Sequence, residues 1–257
     1  MSWLLDLQEI EKVRIPRCLT PKVDYYGDAQ LHTFCDASLK AYAAAVYIRI
    51  VIPDSPAHVA LIMAKSRVAP MKPMSVPRLE LQAALLAARL TCAVAKELEI
   101  PCSKWYMWSD SQTVLRWLKA EPHTRQTFVA HRLGEISELV PSAIWRWVPS
   151  KMNPADCATR GICEDAKVKQ TWFEGPDFLK LSETQWPVSK ELTNAEKQSI
   201  DGMEKRVTSI YTVSEIREYS PLVERLFGWR GLIIRAQRVR KYFDRWRKTS
   251  RGKDDLT

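Results

Sequence analysis

No apolar stretch in this 257-residue chain reaches the roughly 18 residues that would cross a bilayer. The opening residues, Met1-Ser2-Trp3-Leu4-Leu5-Asp6, hold no basic leader, and their apolar run is too short for a signal peptide. An intracellular, cytoplasmic protein without a membrane partner is therefore expected, with its six cysteines as free thiols. No Cys-x-x-Cys pair occurs and the four histidines are scattered, which argues against a structural zinc site. Internal repeats and low-complexity tracts are also missing.

What is present is a large apolar content, 46% with ten tryptophans, enough to bury a core. The length allows one large domain, or one of medium size with appendages. The net charge of +9 is unevenly placed, because residues 225–253 carry eleven Lys/Arg against the single acid Asp244. The rest of the chain is close to neutral, so the basic character belongs to the tail and suits a nucleic acid or acidic partner there.

The chain is organised around Leu31-His32-Thr33-Phe34-Cys35-Asp36-Ala37-Ser38, a short apolar run that ends on a carboxylate. Residues 1–29 read as a leader, broken by Pro16 and Pro21. Three strands follow, over 30–36, 41–52 and 58–66, with short links that suit antiparallel hairpins. The clearest helix spans 77–98: Pro77 fits a first helical position, and Leu81, Leu85, Ala88, Cys92 and Ala95 form one stripe. A strand at 105–109 closes on Asp110; a helix at 111–119 should bury Val114, Leu115 and Leu118. A helix near 125–139, a strand at 143–149 and a short helix opened by Asn153-Pro154-Ala155-Asp156 complete the pattern. This order predicts an α/β domain over 30–162, a mixed sheet with helices packed on it. Residues 163–213 read as a linker, aromatic and then polar, and 214–257 as a basic helical tail.

Four acids occupy defined settings: Asp36 and Asp110 at strand ends, Glu80 and Asp156 in first helical turns. Each has a plain structural explanation, as a cap for Asp36 and Asp110, or as a partner of the helix dipole for Glu80 and Asp156. Together they mean more: if the first and fourth strands are neighbours, all four converge. Carboxylates that close raise one another's pKa unless cations lie between them. Magnesium fits such a site, being hard, oxygen-liganded and able to bridge to phosphate. Two such ions roughly 3.5–4 Å apart can serve the attacking and leaving oxygens of phosphodiester cleavage.

Phe34-Cys35-Asp36-Ala37-Ser38, Pro77-Arg78-Leu79-Glu80-Leu81, Trp108-Ser109-Asp110-Ser111 and Asn153-Pro154-Ala155-Asp156 occur in this order. These segments resemble the ribonuclease H domain of BEL/Pao-type retrotransposon Pol polyproteins. Val13 to Cys18 and Trp172-Phe173-Glu174-Gly175-Pro176 resemble the flanking segments, so the likeness covers about residues 10–190. The resemblance implies a ribonuclease H-like fold, a mixed five-stranded sheet with flanking helices. It also implies Asp36, Glu80, Asp110 and Asp156 as ligands of two Mg²⁺ ions, with Mn²⁺ as a substitute. The implied activity is hydrolysis of the RNA strand of an RNA–DNA hybrid. The implied partners are that hybrid and the reverse-transcriptase and integrase parts of the polyprotein, in cytoplasm, virus-like particles or nucleus. One departure is Lys151, in Val148-Pro149-Ser150-Lys151, where many relatives carry a histidine; His123 and His131 precede the last strand.

The same family region also goes under the name of a retrotransposon peptidase. Asp110-Ser111-Gln112 and Asp36-Ala37-Ser38 lack the glycine of an aspartic-protease motif, and no Ser-His-Asp or Cys-His arrangement is visible. An aromatic-x-Asp-Asp polymerase motif and the paired His and Cys of an integrase zinc module are absent as well. Two rivals to the nuclease stand: a catalytically silent tether of the same fold, and a nucleic-acid-binding module acting through the tail. For the latter, Arg235, Arg238, Lys241, Arg245 and Lys248 recur at three- and four-residue steps and give one cationic face. Trp145 and Trp147, alternating on one strand, are expected in the core.

Overall fold

The computed structural model describes Ile15 and residues 29–53, 55–160, 166–189 and 191–206. The basic tail, with Arg235, Arg238, Lys241, Arg245 and Lys248, lies outside the described residues, as does most of the leader. Among the described residues, no helix is long and apolar enough to cross a membrane.

A five-stranded sheet forms the frame: β1 (Ala29–Ala37), β2 (Ala41–Ile50), β3 (His58–Val68), β4 (Trp105–Ser109) and β5 (Ile144–Trp147). Its order is β3-β2-β1-β4-β5. β1, β2 and β3 form an antiparallel meander, while β4 and β5 continue the sheet in parallel with β1. The expected mixed sheet is thus present, with β1 and β4 adjacent.

Strand parity divides the side chains between two cores. Leu31, Cys35, Ala44, Val46 and Met107 face α1 (Val76–Leu98), and Phe34, Ala45, Tyr47 and Trp108 face the opposite side. The small residues Ala83, Ala84, Ala87 and Ala88 are fully buried on α1, which lets its backbone approach the sheet closely. Thr91 of α1 and Thr33 of β1 share a buried hydroxyl pair at 2.6 Å, a satisfied polar contact in that interface. Pro77 sits in the first turn of α1, and Glu99, at φ 53°, closes its end.

Shorter helices complete the α1 side: α2 (Gln112–Leu118) and α3 (Thr127–Leu139). On α2, Val114 is buried as expected, but Leu115 and Leu118 are only half-buried and Trp117 fills the core instead. Trp117 stands three residues after Val114, so it shares the inward stripe and brings the larger apolar surface.

Residues 166–189 and 191–206, within the stretch read as a linker, carry regular elements. They form α5 (Ala166–Glu174), 3-10 turns at Asp177–Lys180 and Glu183–Gln185, and α6 (Asn194–Gly202), preceded on the sheet by α4 (Ala155–Arg160). The compact unit runs through Arg206. Residues 172–186 act as a strap over the second sheet face. Gly175 has φ +74°, and a Cβ there would meet Val59 Cγ1 at 2.7 Å, so glycine alone fits this crossing. Arg49, buried on β2, donates from Nε to the Leu179 carbonyl (2.7 Å) and from Nη2 to that of Leu181 (2.9 Å). Trp186 closes the strap, edge-on to His32 and Tyr106 at 5.2 Å each.

Candidate active site

The four acids come from four elements at one end of the sheet. Cys35 of β1 stands opposite Ser109 of β4, so Asp36 and Asp110 both lie one residue past that pair. Asp36 has the parity of Phe34 and belongs to the face that α4 covers. Thr159 of α4 donates to Asp36 Oδ2 at 2.6 Å, and Asp156 on the same helix lies near enough for the Asp36 charge to raise its carboxyl. Glu80, expected in the first helical turn, falls just past it because α1 begins at Val76; it approaches from the other face and accepts at Oε2 from the Ser111 hydroxyl (2.6 Å). Asp110 accepts at Oδ2 from Ser150 (2.5 Å), in the 3-10 turn that follows β5.

The capping roles open to these acids fall elsewhere. Ser38, not Asp36, ties the β1–β2 turn, accepting from the Lys40 and Ala41 amides. Ser111, not Asp110, caps α2, accepting from the Val114 amide. Serine hydroxyls thus satisfy the local backbone, leaving both carboxylates free to face the shared end. Asn153 does both jobs expected of a loop anchor: Oδ1 accepts from the Ala155 amide, and Nδ2 donates to the Cys35 carbonyl at 3.0 Å. That second bond ties the start of α4 to the strand that carries Asp36.

Crowding shows in the electrostatics. Burial, followed by the charges of Asp110 and Asp36, pushes the Glu80 carboxyl up, against the opposing Ser111 hydrogen bond. Asp110 is raised by burial and then by Asp36, with Ser150 opposing. Asp156 is pushed up to about 6 by burial, by the charge of Asp36 and by the hydrogen bond to it, with Arg160 opposing. Arg160 Nε meets Asp156 Oδ1 at 2.7 Å, an exposed cation on the rim.

Among the described residues, no group of three or more His, Cys, Asp or Glu side chains is arranged so that it could hold a metal ion. The donor set nonetheless suits a hard divalent ion. Magnesium commonly takes one or two carboxylates and completes its shell with waters and substrate phosphate, so a complete protein cage is not required. For all three raised carboxyls burial is the first cause, and the charges of neighbouring acids add to it.

The hydroxyls of Ser111, Ser150 and Thr159 are the partners that sequence reasoning missed. Ser111 was open to detection as the hydroxyl directly after Asp110. Ser150 and Thr159 join only through the fold. Lys151 stands beside Ser150 and is exposed. His123 pairs with Glu121 (3.4 Å) and His131 lies exposed on α3, neither of them among the contacts of the four acids.

Residues 1–111 match the family model described as Pao retrotransposon-like RNaseH-like domain. That span includes Asp36, Glu80 and Asp110 and stops before Asp156. No curated protein sequence matches the chain. Among solved structures, RNase H1 from the halophilic archaeon Halobacterium salinarum NRC-1 is similar at 16% identity and a TM-score of 0.33, covering 49% of this chain and 88% of that one. The N-terminal RNase H domain of rv2228c from Mycobacterium tuberculosis is similar at 10% identity and a TM-score of 0.33, covering 49% and 86%. LC11-RNase H1, solved in complex with an RNA/DNA hybrid, is similar at 12% identity and a TM-score of 0.34, covering 49% and 88%. Over residues 1–111, less than half of its length, the chain is thus similar to the Pao retrotransposon-like RNaseH-like domain family.

Proposed function

We propose that this chain is a metal-dependent endonuclease that hydrolyses the RNA strand of RNA–DNA hybrids, as part of a retrotransposon Pol polyprotein. The observation that carries this reading is the meeting of Asp36, Glu80, Asp110 and Asp156, from four elements, at the shared end of β1 and β4. Divalent ions, when bound, supply Lewis acidity at the attacking and leaving oxygens of the phosphodiester. Asp36 and Asp110 would hold them from neighbouring strand ends, with Glu80 and Asp156 closing the sides.

The chain's own groups orient this set. Ser111, Ser150 and Thr159 each fix one oxygen of Glu80, Asp110 and Asp36, which limits rotation of the carboxylates before any ligand arrives. Asp156, with its pKa near 6, holds a proton against Asp36 in mildly acidic solution and releases it near neutrality. The LC11 enzyme's complex with an RNA/DNA hybrid supports the choice of substrate class.

The test is cleavage of an end-labelled RNA–DNA hybrid by the purified full chain, with magnesium or manganese, beside Asp110→Asn. Cleavage of the RNA strand alone, abolished in the variant and by chelator, is the expected result. A folded wild-type chain that leaves the hybrid intact, even with the polymerase part added in trans, would replace this reading with a silent tether.

A further inference from the structure

A pocket of about 400 Å³ opens between α2, β5 and residues 187–189 and 191–192, built from side chains other than the four acids. Trp145 and Trp147 of β5 contribute indoles, Leu115 and Leu192 apolar walls, and Lys119 and Lys197 ammonium groups. Both indoles are only half-buried, so the expected core role is incomplete.

The cations on this wall fall into two kinds. Arg116 is clamped by Asp201, with Nε to Oδ1 at 2.7 Å and Nη2 to Oδ2 at 2.5 Å, and Arg146 is paired with Glu183. Among the described residues, Lys119 and Lys197 have no carboxylate partner, and Glu191 is the one acid on the wall. The unclaimed charge is therefore positive, next to two aromatic surfaces. Half-buried indoles flanked by unpaired ammonium groups suit a flat π-system carrying a phosphate.

Position narrows the ligand. Trp147 stands opposite Ser109 in the sheet register, and its Nε1 donates to the Asp110 carbonyl at 3.1 Å. Gln112, in the first turn after Asp110, lines the same pocket. One wall of the pocket is thus bonded to the backbone of Asp110, and another begins two residues after it. β5 is also the edge strand, so no further strand of this sheet covers its outer side.

We propose that the pocket between α2, β5 and residues 187–189 and 191–192 binds one unpaired nucleotide of a strand leaving the hybrid. Its base stacks on Trp145 or Trp147 and its phosphate lies between Lys119 and Lys197. The location rests on the nuclease reading, but the binding does not require cleavage.

The test uses the full chain with Asp110→Asn, so that no probe is consumed. Three hybrids are compared: blunt, with a short RNA overhang, and with a short DNA overhang, the unpaired nucleotide being 2-aminopurine. Binding is read by anisotropy and stacking by quenching of the 2-aminopurine emission. An overhang should tighten binding by about tenfold and quench its emission, and the strand that does so identifies the source. Adding Lys119→Glu and Lys197→Glu should remove both effects while blunt-hybrid affinity stays within about twofold, because charges elsewhere on the chain act on every probe alike. Overhangs that give no advantage and no quenching, or quenching unchanged by the double substitution, would overturn the proposal. Failure of wild-type hybrid cleavage would count against the nuclease reading and leave this binding result standing.

Discussion

Asp36 and Asp110 lie side by side because Cys35 and Ser109 are register partners on two parallel strands, and each acid follows its partner residue directly. Two carboxylates fixed at neighbouring strand ends repel unless a cation or a proton separates them. Replacing either with Asn keeps the shape and removes a ligand charge. Hybrid cleavage should fall by a factor on the order of 10² or more in each variant, with the unfolding midpoint unchanged or higher. Gel-based single-turnover rates and a thermal melt would check both halves of this statement.

The raised Asp156 carboxyl links pH to stability. Its folded pKa of about 6 lies above the ordinary unfolded value near 4. Between those values the folded chain holds more protons than the unfolded chain, so the stabilisation is complete below about pH 4 and lost as pH rises through about 6. At pH 7 without divalent metal, Asp156→Asn should therefore be more stable than wild type. The side chain is 24% exposed, so solvent screening reduces the effect to about 1 kcal/mol, or about 2–4 °C in Tm. A lower Tm for the variant at pH 7 would contradict the sign. Millimolar magnesium should raise the wild-type Tm and leave the variant less affected.

Ser150 donates to Asp110 and so favours its ionised form. Ser150→Ala removes that bond at an exposed site with little cost to the fold. The Asp110 pKa should then rise further, so activity should drop more at acidic than at mildly alkaline pH. A full pH–rate profile would show the acidic limb displaced upward; a uniform drop at every pH would instead indicate a role unrelated to protonation.

The strap should prove inseparable from the domain. Trp186 is 4% exposed and packs on Trp108 at 5.6 Å, with Arg49 and Arg146 over its ring at 5.2 and 5.1 Å. Trp186→Ala should cost about 3–5 kcal/mol by denaturant unfolding. A chain ending at residue 162 should show weak near-ultraviolet circular dichroism and expose apolar surface to dye, since Phe34 and Trp108 lose their cover. Gly175→Ala should also destabilise, from the clash with Val59 and the positive φ together.

Much of the fold was legible because its signals are local. Strand edges fell within a few residues of observed ends, and Pro77 and Pro101 bracket α1 as punctuation predicts. What escaped reading depended on contacts distant in sequence. The strap carries no helical or strand period over 172–186, because it is built from 3-10 turns and aromatic anchors that have meaning only against β1, β2 and β4. Arg49 looks like a strand-surface cation in sequence, yet it is 6% exposed and holds two strap carbonyls. Trp117 fills the core where Leu115 and Leu118 were expected, because local spacing from Val114 allows either the three-residue or the four-residue step and packing chose the former.

By itself, the sequence determined which residues form strands and helices and where the four acids stand along them, since periodicity, proline and capping act over a few residues. Only the tertiary structure decided that β1 and β4 are neighbours in register, that α4 is tied by Asn153 to the Cys35 carbonyl, and that three hydroxyls fix the carboxylates. Those outcomes depend on packing between segments 31 to 123 residues apart, where burial sets both the geometry and the raised pKa values. Spacing along the chain cannot express a distance through the core.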